Sequence, residues 1–376
     1  MPPNRELAGH LRATAAAFHA CDLEGARAAA RAALACADRA SPEAAELRLV
    51  LSTVALKQGQ PGRALQEANR ARAWSQRDRG APRAAFVEVR ALGAAGRAHL
   101  YLGRYDAADE HQREALDKAR RLALSVEIAS ALNDVGITSK YLGSWARAAR
   151  AYREALAIVK GEPRSDAQQG FLASLLHNLG GLEHARERHR EGVPWARAAL
   201  RLRRALRGPD HADVAADEVA LSGLLLGLGR HREAERLLEH ALAVFRRVYG
   251  DDHPEVASAL HNLGSSLHAR GRFDEAELAY RRALSIERAR LGSTHPETLR
   301  TRLNLGAMLV EADDPRGLPL LASARDSLRR VLGPRHPLAR AAAAASARHL
   351  KAAQTAQIHG EVEPSSRSQR GRAAAR

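Results

Sequence analysis

Residues 251–292 read DDHPEVASALHNLGSSLHARGRFDEAELAYRRALSIERARLG, and the chain then begins the same pattern again with His295-Pro296 and Leu303-Asn304-Leu305-Gly306. The string Asn262-Leu263-Gly264 also stands earlier, as Asn178-Leu179-Gly180. The period is about 42 residues, within the range in which each unit buries its apolar face only by stacking on its neighbours. A chain built this way works along an extended surface.

Reading outward in register, a glycine or its substitute marks the middle turn of each unit, at Cys21, Gly59, Gly103, Gly143, Glu187, Gly229, Gly271 and Asp313. Five residues after each turn stands a small residue: Ala26, Ala64, Ala108, Ala148, Gly192, Ala234 and Ala276, with Leu318 in the degraded last copy. The register predicts eight helical pairs. Pro254, Pro296 and Pro337 suit first helical positions, where no intrahelical N–H is needed. Leu260, Leu263 and Leu267 share one helical face. Asp274 and Glu277 have the spacing of a capping box, and Gly292 is a C-terminal stop. Gly264 and Ala276 allow the two helices of a pair to approach closely. No alternating β-branched or aromatic run competes with the helical reading.

The sequence therefore predicts an all-α, right-handed superhelical solenoid over residues 1–354. Its clearest repeats span 95–310, with degenerate copies at 5–80 and 297–333 and a capping helix at about 337–354. Residues 355–376 have Pro364, serines and arginines but no apolar period, and are expected to form a disordered basic tail.

These features resemble the tetratricopeptide repeat (TPR) family, on Asn262-Leu263-Gly264, Ala276, Tyr280 and Ala283. The usual period is about 34. This chain is longer per unit and joins units through a Gly-x-x-His-Pro turn, as in Leu291-Gly292-Ser293-Thr294-His295-Pro296, which is similar to the repeats of kinesin light chains and their bacterial relatives. Cys21 and Asp313-Asp314-Pro315 depart from that pattern.

The chain has 376 residues and a formal net charge of +16. Lysine occurs only at 57, 118, 140, 160 and 351, so the excess is arginine. Such a balance fits an acidic protein partner, nucleic acid, or simply solvated helix surfaces. Arg201, Arg203, Arg204 and Arg207 are the densest cluster, but their spacing spreads them around a helix as solvated surface. Aromatic residues make up 4%, leaving few platforms on which single-stranded nucleic acid could stack. Cys21 and Cys36 allow no disulfide framework and are read as small buried thiols in a reducing cytoplasm. The N-terminal MPPNRELAGH lacks an apolar signal core, and no run approaches the roughly 20 apolar residues of a membrane span.

No catalytic constellation stands out. There is no Gly-x-x-x-x-Gly-Lys loop and no His-Glu-x-x-His. His211, His253, His295 and His336 recur at the linking turn and read as one structural solution. His177 with His184, and His261 with His268, lie seven residues apart, roughly 10 Å along a helix, too far to share one zinc ion. No metal or cofactor is expected.

What the resemblance implies is a concave groove lined by the first helix of each pair. Carried over, its ligand-facing positions are Ser130, Asp134, Ile137, Lys140 and Tyr141 in the fourth unit, and Ser174, Asn178, Gly181 and His184 in the fifth. The sixth has Ala216, Ala220 and Gly223, a small, less polar pocket. The seventh has Ser258, Asn262, Ser265 and His268, and the eighth Arg300 and Asn304. A stripe of Ser, Asn and His suits an extended peptide backbone, because an amide side chain both donates and accepts. The competing reading is that Asn ties adjacent helices together. The expected function is a non-enzymatic protein-interaction scaffold that binds a protein or peptide, an acidic one suiting the charge, with nucleic acid held at most non-specifically and no membrane partner. The alternatives are a basic solenoid associated with nucleic acid, and a regulatory array working with a signalling kinase or ATPase.

Overall fold

The computed structural model describes residues 5–361 except 20, 21, 39, 82, 163 and 164. These residues form seventeen α-helices and no strand. The chain divides into two compact units, Met1–His295 and Pro296–Arg376.

The first unit contains seven helical pairs. They are α1 (Arg5–His19) with α2 (Leu23–Cys36), α3 (Pro42–Lys57) with α4 (Pro61–Arg77), α5 (Ala84–Tyr101) with α6 (Tyr105–Arg121), and α7 (Ser125–Tyr141) with α8 (Trp145–Gly161). Then follow α9 (Asp166–Ala185) with α10 (His189–Arg207), α11 (Ala212–Gly227) with α12 (His231–Tyr249), and α13 (Pro254–Ala269) with α14 (Phe273–Arg290). The second unit holds α15 (Pro296–Glu311), α16 (Gly317–Leu332) and α17 (Pro337–Glu361).

The middle turns fall where the spacing puts them. Gly59, Gly103, Gly143, Gly229 and Gly271 all have positive φ, and so do Glu187 (58°) and Asp313 (54°) where glycine is replaced. Cys21 lies outside the described residues. The linking turns use a second left-handed residue, Gly208, Gly250, Gly292 or Gly333. Behind three of them a histidine caps the next helix. Nδ1 of His211, His253 and His336 accepts the N–H of Asp213, Glu255 and Leu338 at 3.1, 3.2 and 3.2 Å, satisfying a donor that the helix leaves unpaired.

One local expectation fails. Asp274 and Glu277 form no capping box: Arg272 is the N-cap residue and makes no side-chain cap, which leaves Asp274 inside the first turn. There its charge meets the positive end of the helix dipole instead.

Inside a pair, the gap at a small residue is filled by a large one. A Cβ on Gly264 would sit 2.9 Å from Cδ1 of Tyr280, and one on Gly136 would overlap the Tyr152 ring. Both tyrosines are buried. The apolar core runs on from pair to pair, as from Leu92 through Leu132, Val135 and Tyr152 to Leu175 and Leu182, and from Val219 through Leu238 and Phe245 to Leu260 and Ile286.

The second unit packs α15, α16 and α17 around Leu299, Leu303, Leu321, Leu328 and Ala342. Gly306 brings α15 against the α16 backbone, because a Cβ there would lie 2.7 Å from the Leu321 nitrogen. α17 continues to Glu361, beyond the expected end near residue 354, because its alanine-rich sequence meets no proline there and alanine sustains a helix. The rest of the expected tail, 362–376, lies outside the described residues.

Candidate functional site

In the first unit the first helices of successive pairs touch one another: α3 meets α5, α5 meets α7, α7 meets α9, α9 meets α11, and α11 meets α13. Among the described residues, no two second helices of successive pairs come together. The stack therefore curves with its first helices inside, and these line its concave face.

Polar side chains cross that inner face from helix to helix. Arg97 of α5 donates to Asp134 of α7 at 2.6 Å, and Asn178 Nδ2 of α9 donates to Asn133 Oδ1 of α7 at 2.8 Å. His177 Nδ1 of α9 donates to Asp217 of α11 at 2.7 Å. Asn262 Nδ2 of α13 reaches the Val219 carbonyl and Ser222 Oγ of α11, each at 3.4 Å. Two of the expected ligand-facing asparagines thus bond neighbouring helices. Ser174 donates to the Gly170 carbonyl and accepts from Arg203, and Ser265 donates to the His261 carbonyl and accepts from the Tyr280 hydroxyl.

The other expected residues sit as follows. The Lys140 ammonium lies 4.9 Å from the Tyr141 ring centre, and Tyr141 stacks on Tyr105. A Cβ on Gly181 would stand 3.5 Å from Lys140 Nζ, and one on Gly223 3.5 Å from the His184 ring. Gly223, one of the small residues expected to form a pocket at the sixth unit, therefore stands against the His184 ring. Ser130, Ser258 and His268 are half-buried, with His268 against Phe273. Arg300, paired with Glu297 at 2.5 Å, and Asn304 belong to α15 of the second unit.

Of the residues that give this face its charge, sequence reading found Asp134 and missed Arg97, Tyr101, Asp213, Asp217 and Glu255. Asp134 is 3% exposed, and burial raises its pKa although Arg97 opposes the shift. Tyr101 is 48% exposed, yet its hydroxyl is pushed up to about 12, by desolvation first and then by Glu255 and Asp134. Burial also raises Glu255, against the pull of Lys57 and His177. At Asp213 burial acts upward too, but Lys57, Arg203 and His211 outweigh it and hold the carboxyl low. Arg203, expected as solvated surface, has a side chain only 12% exposed and donates to Asp217 at 2.8 Å. Arg204 pairs with the buried Glu218 at 2.5 Å. The missed signal was the acids at the start of α11 and α13, two residues after the linking-turn histidines.

The curve of the unit also brings distant repeats together. His253 Nε2 donates to the Lys57 carbonyl at 2.8 Å, and Lys57 Nζ pairs with Asp213 at 3.2 Å. His253 Nδ1 is already an acceptor, so the ring is the neutral Nε2–H tautomer. Its pKa is depressed to about 4, mainly by burial. Gly59 has φ +67°, and a Cβ there would lie 2.9 Å from Pro254 Cδ. Tyr249 stacks on His253 at 4.3 Å and packs against the cluster of Leu23, Ala26 and Val54.

Among the described residues no group of His, Cys, Asp or Glu could hold a metal ion, and no helix is long and apolar enough to cross a membrane. Cys36 is half-buried, its sulfur 3.9 Å from Glu6. It is less enclosed than the buried thiol expected, and Cys21 lies outside the described residues. Two surface depressions, one where Arg282 pairs with Asp252 at 2.8 Å and one beside Trp145 and Arg186, lie apart from the lining described above.

A family model described as tetratricopeptide repeat matches residues 88–161, 171–245 and 218–289. Comparison with curated proteins gives no match. Among solved structures, the fold is similar to that of a Rap protein complexed with Competence and Sporulation Factor, with 16% identity, a TM-score of 0.63, and coverage of 94% of this chain and 99% of that one. The apo form of the quorum sensor NprR from B. thuringiensis is similar at 12% identity and a TM-score of 0.55, covering 86% of this chain and 87% of that one. The nearly identical TPR-like repeats of a Podosopora anserina kinesin light chain match at 19% identity and a TM-score of 0.41, covering 53% and 94%.

Proposed function

The chain belongs to the tetratricopeptide repeat family, and from that premise we propose that it is a non-enzymatic interaction scaffold holding an extended segment of a partner protein against the inner helices of its first unit. The observation that carries this reading is the polar lining of the concave face, from Arg97 and Tyr101 on α5 to Ser258 and Ser265 on α13. Groups that both donate and accept suit a peptide backbone, whose every residue offers one donor and one acceptor. The fold shared with a protein solved in complex with Competence and Sporulation Factor supports the same kind of role.

The lining is balanced in charge. Asp134, Asp213, Asp217 and Glu255 face Arg97, Lys57, Arg203 and His177. Recognition inside the groove therefore rests on hydrogen bonds and shape, while the net +16 steers an acidic partner from a distance. The cytoplasm is the proposed setting.

An arrayed library of short peptides tests the reading. Peptides retained by the parent should be lost on Tyr101→Ala combined with His184→Ala, and kept on Arg201→Ala and Arg236→Ala on the second helices. Equal retention by both double variants would overturn the groove assignment.

A further inference from the structure

We propose that the turn formed by Gln58, Gly59 and Gln60 is a latch that closes the concave face of the first unit into a channel, admitting a single extended polypeptide segment and excluding a folded partner surface. The proposal rests on the groove reading for its ligand and on separate observations for the latch.

The contact joins the first and second pairs to the sixth and seventh, and Lys57 and His253 stand 196 positions apart in sequence. It is small: the His253 hydrogen bond to the Lys57 carbonyl, the Lys57–Asp213 ion pair, the face of Pro254 on Gly59, and Tyr249 against the cluster of Leu23, Ala26 and Val54. Adjacent pairs, in contrast, share continuous apolar packing. A small rotation at each of several repeat interfaces adds along a solenoid, so the latch parts long before neighbouring repeats unstack. Gly59 is required twice over, by its left-handed backbone and by the proline against it.

The latch is wired to the lining behind it. His253 bonds the latch through Nε2 and caps α13 through Nδ1, and that first turn carries Glu255. Glu255 is close enough to Lys57, His177 and Tyr101 for their charges to act on one another. A segment that engages Glu255 therefore acts on the same turn that holds the latch, and closure and binding favour one another reciprocally.

The test uses no peptide, so its failure leaves the groove reading to the library experiment. Tyr101→Cys, in a chain with Cys21 and Cys36 changed to serine, is reacted with N-ethylmaleimide and with a maleimide on a long polyethylene glycol chain. With the latch intact, the bulky reagent should lag behind the small one. Lys57→Asp should raise the bulky rate about fivefold, the scale of one lost ion pair, with little change in the small-reagent rate. Adding Asp213→Lys should restore the lag. Should Tyr101→Cys unfold, hydrogen exchange on the otherwise unaltered chain gives the second reading. Amides of 57–60 and of 255–257 should exchange faster together in Lys57→Asp and recover together in the charge-swapped pair. Equal behaviour of all three proteins in both measurements overturns the latch.

Discussion

Whether a glycine in this protein tolerates a side chain depends on what stands opposite it. Gly136 faces the buried Tyr152 ring, so Gly136→Ala is expected to lower stability by about 1–3 kcal/mol through overpacking. Gly181 faces only the flexible end of Lys140, and Gly181→Ala should change the denaturation midpoint little. Histidines separate in the same way. The fold holds His253 near 4, below its ordinary value, so the folded protein releases this proton more readily than the unfolded chain. His253 therefore contributes stability that is present above about pH 6.5, falls as the pH drops toward 4 and is flat below, by about 3 kcal/mol for a shift of this size. The charges of Arg290 and Lys57 act in the same direction, while the hydrogen bond to the Lys57 carbonyl opposes it. His240 has the opposite sign: its bond to Glu218 raises its pKa, so its contribution is full below about 6.5 and is lost as the pH rises through the raised value. Urea titrations of His253→Gln and His240→Gln across pH 4–8 should diverge from the parent at opposite ends. None of this was legible in the sequence. Spacing located Glu187 and Asp313 as left-handed turn residues without glycine, but it is silent about what a ring nitrogen meets.

At the scale of the helix, the recurring histidine of the linking turn was legible as structural, and its task is to cap. His336→Ala should destabilise the second unit by about 1 kcal/mol, while His336→Asp, which can still accept the Leu338 N–H, should lose little. Unfolding followed by a probe on α16 checks both. Asp274 misled because an acid three residues before Glu277 fits a capping box two positions beyond the real N-cap, Arg272, and boundaries are read from sequence only to within a residue or two. The asparagines carried both readings for a chemical reason. An amide that suits a peptide backbone suits a neighbouring helix equally well, so residue type alone could not separate the bond from Asn178 to Asn133 from a ligand contact. Arg97 on the same face had no repeating partner to mark it, whereas Tyr101 recurs one unit on as Tyr141 in the shared Tyr-Leu-Gly and could have been carried back from there.

For the whole molecule, charge and cooperativity are the measurable properties. Many arginines are held by carboxylates, as in the pairs of Arg72 with Glu114, Arg147 with Asp109 and Arg270 with Glu235, which leaves less of the +16 to meet phosphates. Nucleic acid should bind weakly and without sequence preference, with affinity dropping steeply between about 50 and 200 mM salt. Removing 362–376, with Arg367, Arg370, Arg372 and Arg376, should abolish most of it. Tight, sequence-selective binding near 200 mM salt by the shortened chain would favour the basic-solenoid alternative. Two compact units and a nearest-neighbour core also predict that denaturant unfolding monitored on α8 and on α16 gives non-coincident transitions. The helical stack itself was legible, because a period of about 42 residues leaves few other architectures. The fold-back of the second pair onto the sixth and seventh was not, since no periodicity encodes a contact made once. That single contact bears on how the gene can change. Repeat arrays ordinarily gain or lose whole copies by duplication and deletion, at little structural cost, because each copy sees only its neighbours. Here one copy more or fewer between Gly59 and His253 would carry the histidine a full repeat away from its carbonyl, so this stretch has a fixed copy number, and its descendants should diverge by substitution within copies instead of by change in their count.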